Sequence, residues 1–207
     1  CIDIVFNCTN YDETYIMGYC NSFVKIGIDK EFNYFGIRFL PGIFPSLFNI
    51  DASELSNHYE RLNTVQPCIY NVIQQSKDRC LCLQDLCDEL NIYFIKHINK
   101  IDKPFDNRFF CALETILKSK GSIIIEKDLN DGISSRHLQR LFNFYIGDTA
   151  KSFCRIVRFQ NLLKIDPSVK LIKSEKSYYD FGYYDQNHFI KEFKLFYGKT
   201  PSKIAAE

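Results

Sequence analysis

Two stretches of the chain carry side chains that can hydrogen-bond to base edges, and the two stretches match each other. Residues 134–142 read SSRHLQRLF, and residues 185–193, which lie 51 positions later, read DQNHFIKEF. Arginine and lysine can donate to guanine O6 and N7, and glutamine and asparagine can form two hydrogen bonds with adenine. A duplicated stretch of this chemistry favours reading of the DNA major groove.

The residues around the two stretches predict a capped helix in each copy. Ser134 and Asp185 occupy matching positions, and both residue types are favoured at helix N-caps. Gly147 matches Gly198, and glycine suits the left-handed position that follows many helices. We therefore expect two helices of about three turns each.

Charge is distributed unevenly along the 207 residues, although the net charge is only +1. Residues 1–100 contain 8 Lys and Arg against 12 Asp and Glu, a net charge of −4. Residues 101–207 contain 18 against 13, a net charge of +5. This asymmetry is typical of a sensor or partner domain joined to a nucleic-acid-binding domain.

Nine cysteines are scattered through the chain, and their odd number argues against a disulfide scaffold. Cys111 and Cys154 each follow a phenylalanine, so we expect buried free thiols in a reducing cytosol and hence a cytoplasmic protein. The cluster of Cys80, Cys82 and Cys87 lacks the partner residues of a zinc site. No metal or other cofactor is therefore expected.

The ends and the hydropathy of the chain give two further expectations. No apolar run approaches the roughly 20 residues that span a bilayer, and no signal peptide is recognisable, so no membrane partner is expected. The chain opens in a strand pattern without an initiator methionine, and we interpret it as a fragment of a longer protein.

The front part of the chain is predicted to be rich in β-strands. Runs of β-branched and aromatic residues predict strands at 2–6, 14–17, 22–28 and 33–40. A short helix or turn is expected at 43–48. Asp51 is expected to cap the helix that follows, with Glu54 completing a capping box.

Residues 66–99 are predicted to be helical, and their second part is amphipathic. The apolar face is defined by side chains at three- and four-residue steps: Leu83, Leu86, Leu90, Phe94 and His97. This face could pack on the sheet, or it could form the seam of a homodimer through a helix at 81–98.

The predicted fold class is α+β in two domains, separated by a polar linker at 100–104 that ends at a proline. The domain at 1–100 is expected to be β-rich and partly barrel-like, with helices at its end. The domain at 104–207 is expected to be all-α, with a helix from Thr149 to about Ile165 between the repeated helices. The cations of that helix could be solvated or could contact phosphate; they are Lys151, Arg155, Arg158 and Lys164.

Residues 106–205 resemble the AraC/XylS family of bacterial transcription regulators. The resemblance is strongest at RHLQRLF (136–142), at GYYDQNHFIKEF (182–193) and at GKTPS (198–202). It implies two helix-turn-helix motifs joined by one long helix. The front part resembles, less closely, a β-rich sensor domain found in one branch of the family, through its opening residues CIDIVFN and the segment GIRFLPG.

The resemblance implies that both recognition helices enter successive major-groove segments, about 34 Å apart. It assigns DNA contacts to eight residues: Ser135, Arg136, Gln139, Arg140, Gln186, Asn187, His188 and Lys191. His137 is expected to be structural instead, because its register places it beside Leu138 and Leu141.

The supporting helices depart from the family pattern. Lys127 and Asp128 stand where the first motif should have an apolar residue, and residues 174–179 give the second motif a poor apolar face. We therefore expect lower affinity or one idle motif, and we hypothesise that the first motif carries most of the specificity.

Two alternatives remain open beside a DNA-binding regulator. No nucleophile elbow, metalloprotease motif or phosphate-binding loop is present, so an enzyme is not expected; a DNA-repair protein with an alkyl-accepting cysteine would need a spacing that the cysteine cluster lacks. The second alternative is a partner-binding protein that has lost DNA binding, which the weak supporting helices favour and the cations on both recognition helices oppose.

The family analogy also suggests a working mechanism. The front domain would sense a small-molecule effector or a partner. The back domain would bind a promoter and recruit RNA polymerase, as an activator does.

Overall fold

The computed structural model describes residues 1–25, 33–76, 79, 82–101, 105–129, 132–165 and 177–204. Some expectations fall outside this description: those for the strand residues 26–28, for Cys80, for the end of the linker at 102–104, and for residues 174–176 of the second supporting helix. The chain forms two compact units. The front unit consists of Cys1–Tyr19, Ile26–Phe105 and Asn143–Gly147, and the back unit of Cys20–Lys25, Asp106–Phe142 and Asp148–Glu207.

The front unit contains an antiparallel sheet of four strands in the order β3-β1-β2-β4. The strands are β1 (Ile2–Asn7), β2 (Thr14–Met17), β3 (Tyr34–Phe39) and β4 (Tyr59–Arg61). The α+β class is confirmed, but in the part of the chain described the sheet is open, with β3 and β4 at its edges, rather than partly barrel-like. Residues 22–25 are irregular backbone, so the strand predicted there is wrong.

Strand β1 lies between β2 and β3 because one of its faces is apolar. Ile2, Ile4 and Phe6 are buried in the core of the front unit. On the other face, the Arg38 guanidinium on β3 donates to both carboxylate oxygens of Asp3, at 2.8 Å each, and these two residues are paired in the register. The pair is a cross-strand contact of the kind that supports a sheet edge.

Helices cover the core of the front unit. They are α1 (Ile43–Phe48), α2 (Leu62–Val65), α3 (Pro67–Ser76) and α4 (Leu83–Ile98), with a 3₁₀ helix at Ala52–Leu55. Asp51 caps as predicted, because its side chain accepts from the Ser53 N–H at 2.8 Å. The capped helix is a single 3₁₀ turn.

The amphipathic face predicted for α4 packs within the front unit. Leu86 and Leu90 are buried, and Phe94 packs against the same core. Nε2 of His97 lies 3.0 Å from the Leu47 carbonyl oxygen. The predicted face is therefore occupied inside the unit, apart from Leu83, which is exposed. Other apolar side chains of α4 face solvent: Ile92, Ile95 and Ile98.

The back unit is helical in its described part. Its helices are α5 (Asn107–Lys118), α6 (Ile125–Asp128), α7 (Ser135–Ile146), α8 (Ala150–Ile165), α9 (Ser177–Asp180), α10 (Gln186–Tyr197) and α11 (Pro201–Ile204). The last turn of α7 falls in the range counted with the front unit. The prediction of two similar helices with one long helix between them is confirmed by α7, α8 and α10.

The cysteines differ in part from expectation. Cys154 on α8 is buried, but Cys1, Cys68, Cys82 and Cys111 are exposed, so the prediction of buried thiols is wrong for these four. Cys111 is exposed because it lies on the outer face of α5, opposite the buried Phe109.

Two features of the described residues bear on metals and membranes. They contain no group of three or more His, Cys, Asp or Glu side chains that could hold a metal ion. None of the described helices is both long and apolar enough to cross a bilayer.

Candidate nucleic-acid interface

The repeated helices α7 and α10 begin with the same capping geometry. Ser134 Oγ accepts a hydrogen bond from the His137 N–H at 3.3 Å, and Asp185 Oδ1 accepts one from the His188 N–H at 2.7 Å. Each bond satisfies a backbone N–H that the first helical turn leaves without an intrahelical partner. Both predicted N-caps are confirmed.

The two helices also end alike. The N–H of Gly147 donates to the Asn143 carbonyl at 2.9 Å, and the N–H of Gly198 donates to the Lys194 carbonyl at 3.0 Å. Both glycines have positive φ angles, 92° and 84°, which is the left-handed conformation that favours glycine. The sequence repeat is therefore also a repeat of backbone structure.

The structure places all eight predicted contact residues on the exposed side of the two helices. In the first copy these are Ser135, Arg136, Gln139 and Arg140, and in the second copy Gln186, Asn187, His188 and Lys191. The opposite faces are buried, with Leu138 and Phe142 in α7 and Phe189 and Phe193 in α10. Their role in binding DNA remains a prediction.

His137 is half-buried and contacts one of the predicted DNA-reading residues. Its Nδ1 lies 2.9 Å from Nη2 of Arg140. A guanidinium group can only donate, so Nδ1 is the acceptor in this contact. His137 therefore orients Arg140.

The second recognition helix contains a buried charge. Glu192 is only 2% exposed, and it occupies the position that corresponds to the buried Leu141 of the first copy. Arg155 on α8 donates from Nε to its Oε1 at 3.0 Å, and Nε2 of His188 lies 3.2 Å from its Oε2. A buried carboxylate is costly unless it is paired. The Arg155 bond supplies this pairing, whereas Oε2 lies near His188 but accepts no hydrogen bond from the described residues.

The Glu192 carboxylate links α8 to the exposed side of α10. The Arg155 guanidinium also lies over the Phe196 ring, 5.5 Å from its centre, and Tyr183 contacts His188 edge to face at 5.6 Å. Sequence reasoning did not identify Glu192, although the repeat gave a signal, because it aligns a glutamate with a leucine.

The sequence left open whether the cations of α8 are solvated or contact phosphate, and the structure separates these cations into two pairs. Arg155 and Arg158 are engaged within the back unit, Arg155 with Glu192 and Arg158 with two backbone carbonyls. Lys151 and Lys164 are exposed, and contact with phosphate stays open for them.

Comparison with known families agrees with this geometry. A family described as a helix-turn-helix domain matches residues 131–207, a range that includes both repeated helices. A family described as a domain of unknown function, DUF6597, matches residues 1–61, the range of the four strands. No curated protein and no solved structure matches the chain. The chain combines an N-terminal DUF6597 domain with a C-terminal helix-turn-helix domain of the AraC type, an arrangement consistent with an AraC/XylS-type regulator.

Proposed function

We propose that this DNA-binding regulator reads double-stranded DNA sequence-specifically through α7 and α10, which enter successive segments of the major groove. The observation that carries the proposal is the duplicated, capped helix with hydrogen-bonding side chains exposed in both copies. An α-helix fits the major groove, and its leading turns are the part that contacts base edges in helix-turn-helix proteins.

The side chains divide the reading between purine types. Arg136 and Arg140 of α7 suit guanine, because a guanidinium can donate to O6 and N7 together. Gln186 and Asn187 of α10 suit adenine, through donation to N7 and acceptance from N6. The remaining residues assigned to contact base edges or the adjacent DNA backbone are Ser135, Gln139, His188 and Lys191.

Selection from a pool of random duplexes tests the proposal. We expect the wild-type chain to enrich one sequence with two half-sites about one helical turn apart. In a gel-shift titration the enriched duplex should bind at least about 10³-fold more tightly than a shuffled duplex. A lack of enrichment would reject sequence-specific reading and would favour the partner-binding alternative.

The front unit is proposed to control DNA binding in response to a small molecule. A cleft of about 340 Å³ between α3 and α4, with Val72, Tyr93 and Lys96 among its lining residues, supports this role. Its volume lies at the lower end of the usual range for ligand sites, roughly 300–1,000 Å³. Val72→Phe should fill part of the cleft, and it should make DNA affinity insensitive to any compound that shifts the affinity of the wild-type chain.

Dimerisation through α4 and recruitment of RNA polymerase complete the proposal. Ile95 and Ile98 are exposed by 58% and 49%, and they give α4 an apolar outer side that a second copy could cover. Sedimentation of the wild-type chain should show a dimer that Ile95→Asp converts to monomer. A monomer at all concentrations would reject this contact. Transcription in vitro with purified polymerase and the enriched duplex tests recruitment.

A further inference from the structure

One arginine of α8 bonds to the turn that leads into the first helix-turn-helix motif and to the turn inside the second motif. Nη1 of Arg158 donates to the Gly182 carbonyl oxygen at 3.1 Å, and Nη2 donates to the Gly121 carbonyl oxygen at 3.3 Å. The carbon at the centre of the guanidinium lies 5.4 Å from the centre of the Tyr183 ring. A single side chain therefore contacts two separate parts of the back unit, the turn at Gly121 and the adjacent residues Gly182 and Tyr183.

The two glycines lie at different places relative to the two motifs. Gly121 ends the turn after α5, where its N–H donates to the Ile116 carbonyl at 2.9 Å, and it leads into α6 of the first motif. Gly182 lies in the turn between α9 and α10 of the second motif, where its N–H donates to the Tyr179 carbonyl at 2.8 Å. Both have positive φ angles, 76° and 75°.

These turns also approach each other and α8 too closely for a larger residue. A Cβ atom on Gly182 would lie 2.7 Å from Ser122 Oγ, and a Cβ atom on Gly121 would overlap the Cys154 carbonyl oxygen. The chain segment that enters the first motif is thus in direct contact with the turn of the second motif. Arg158 lies over this contact and bonds to both sides of it.

We propose that Arg158 is a positioning residue that fixes the separation between α7 and α10, and with it the half-site spacing that the protein accepts on DNA. The proposal rests on the proposed function, since it assumes that both helices read the duplex. The planar guanidinium has donors in a fixed fork, so two carbonyls bound by one Arg158 are held at a defined distance. A lysine offers one ammonium on a flexible stem and cannot hold two carbonyls in the same way.

The test uses the duplex enriched by the wild-type chain, together with duplexes that have one base pair inserted or removed between the half-sites. One base pair shifts a half-site by about 3.4 Å and rotates it by about 35°. The wild-type chain should lose at least about 30-fold in affinity on either change, a loss comparable to mismatched base pairs. Arg158→Ala and Arg158→Lys should lose less than about 3-fold, because their motifs can readjust. A wild-type loss of less than about 3-fold would also overturn the proposal.

Lys164→Ala is the matched control, because it removes one positive charge from the same helix at an exposed position. The overall DNA affinity of this variant can change. The ratio of its affinities for the original and the altered half-site spacing should equal the wild-type ratio. If both Arg158 variants keep the wild-type ratio, the proposal is overturned while the proposed function stands. If the wild-type chain enriches no duplex, the proposed function fails first, and the two failures are distinguishable.

A second variant covers the case in which Arg158 substitutions unfold the back unit, which circular dichroism would show. Ser122→Leu enlarges an exposed side chain at the contact between the two turns and leaves the guanidinium in place. It should shift the preferred spacing or lower the ratio between spacings at least about 5-fold. An unchanged ratio in folded Ser122→Leu would overturn the proposal on its own.

Discussion

The same helix position is filled in two different ways in the two copies of the recognition helix. Leu141 packs into an apolar core, whereas Glu192 is buried with its charge and depends on Arg155 and His188. A buried ion pair contributes less to stability than its geometry suggests, because both charges have lost water. Its clearer effect here is to connect α8 with α10, the helix proposed to read DNA.

Removal of one partner from this pair should cost more stability than removal of both. Glu192→Leu leaves Arg155 without its carboxylate and should lower the free energy of unfolding by about 1–3 kcal/mol, since Arg155 is partly solvated. The double variant Arg155→Leu, Glu192→Leu should recover most of this loss, because leucine already fills the matching position of α7. Urea unfolding measures the cycle. A double variant less stable than both single variants would contradict this account.

The two recognition helices should also contribute unequally to specificity. Arg140 is oriented by His137, whereas the corresponding Lys191 offers a single flexible ammonium. Arg140→Ala should weaken binding to the enriched duplex by about 1–3 kcal/mol, and Lys191→Ala should weaken it less. Gel-shift titrations of both variants at one salt concentration measure this, with binding to a shuffled duplex as the control. Equal losses would reject the hypothesis that the first motif carries most of the specificity.

At the scale of elements, local chemistry defines the ends of the helices that present the contact residues. Asp185 and Ser134 cap equivalent ends, but the Asp185 bond is shorter and involves a charge at the positive end of the helix dipole. The two caps should therefore differ in strength although they occupy matching positions.

Loss of the Asp185 cap should therefore destabilise the back unit more than loss of the Ser134 cap. Asp185→Ala should lower the free energy of unfolding by about 1–2 kcal/mol, and Ser134→Ala by about 0.5–1 kcal/mol. Glu114→Ala, which removes an exposed ion pair with Lys118 on α5, is the control and should change stability by less than about 0.5 kcal/mol. A larger loss for Ser134→Ala than for Asp185→Ala would show that the shorter bond is not the stronger cap.

Elements defined by nearby residues could be predicted from the sequence, and those defined by distant contacts could not. The caps and the apolar periodicity gave α7, α8 and α10 to within a few residues. The short strand Tyr59–Arg61 has three exposed side chains and no apolar alternation, so only its pairing with β2 makes it a strand. The openness of the sheet likewise depends on long-range pairing.

The candidate site shows the same limit. Helical register was enough to predict which side chains of α7 and α10 face outward. The partner of Glu192 could not be predicted, because it lies 37 residues away on α8. The two carbonyls bound by Arg158 belong to Gly121 and Gly182, which lie 37 positions before and 24 positions after Arg158 in the chain. Only the fold brings these two turns together.

At the scale of the whole molecule, a nearly neutral chain has an acidic front part and a basic back part. Attraction to DNA phosphate acts only on the basic part and is screened within about 8–10 Å at ordinary ionic strength. The front part should therefore add little to binding at physiological salt.

Binding to the enriched duplex should consequently depend steeply on salt. With roughly 6–10 phosphate contacts, affinity should fall by about 10³–10⁵ between 50 and 200 mM salt. Exchange of Lys151 or Lys164 for alanine should reduce the slope of log affinity against log salt by about one for each residue that contacts phosphate. A flat salt dependence would contradict binding through the DNA backbone and would favour the partner-binding alternative.

Burial of Cys154 on α8 gives the protein an internal probe of local opening. Burial raises the pKa of this thiol to about 11, so at neutral pH it is both shielded and protonated, whereas Cys68 and Cys111 are open to solvent. A thiol-reactive dye should label the exposed cysteines at once and Cys154 only when the packing around α8 opens. Mass spectrometry of the labelled peptides would time this opening in the unaltered chain, and bound duplex should slow it.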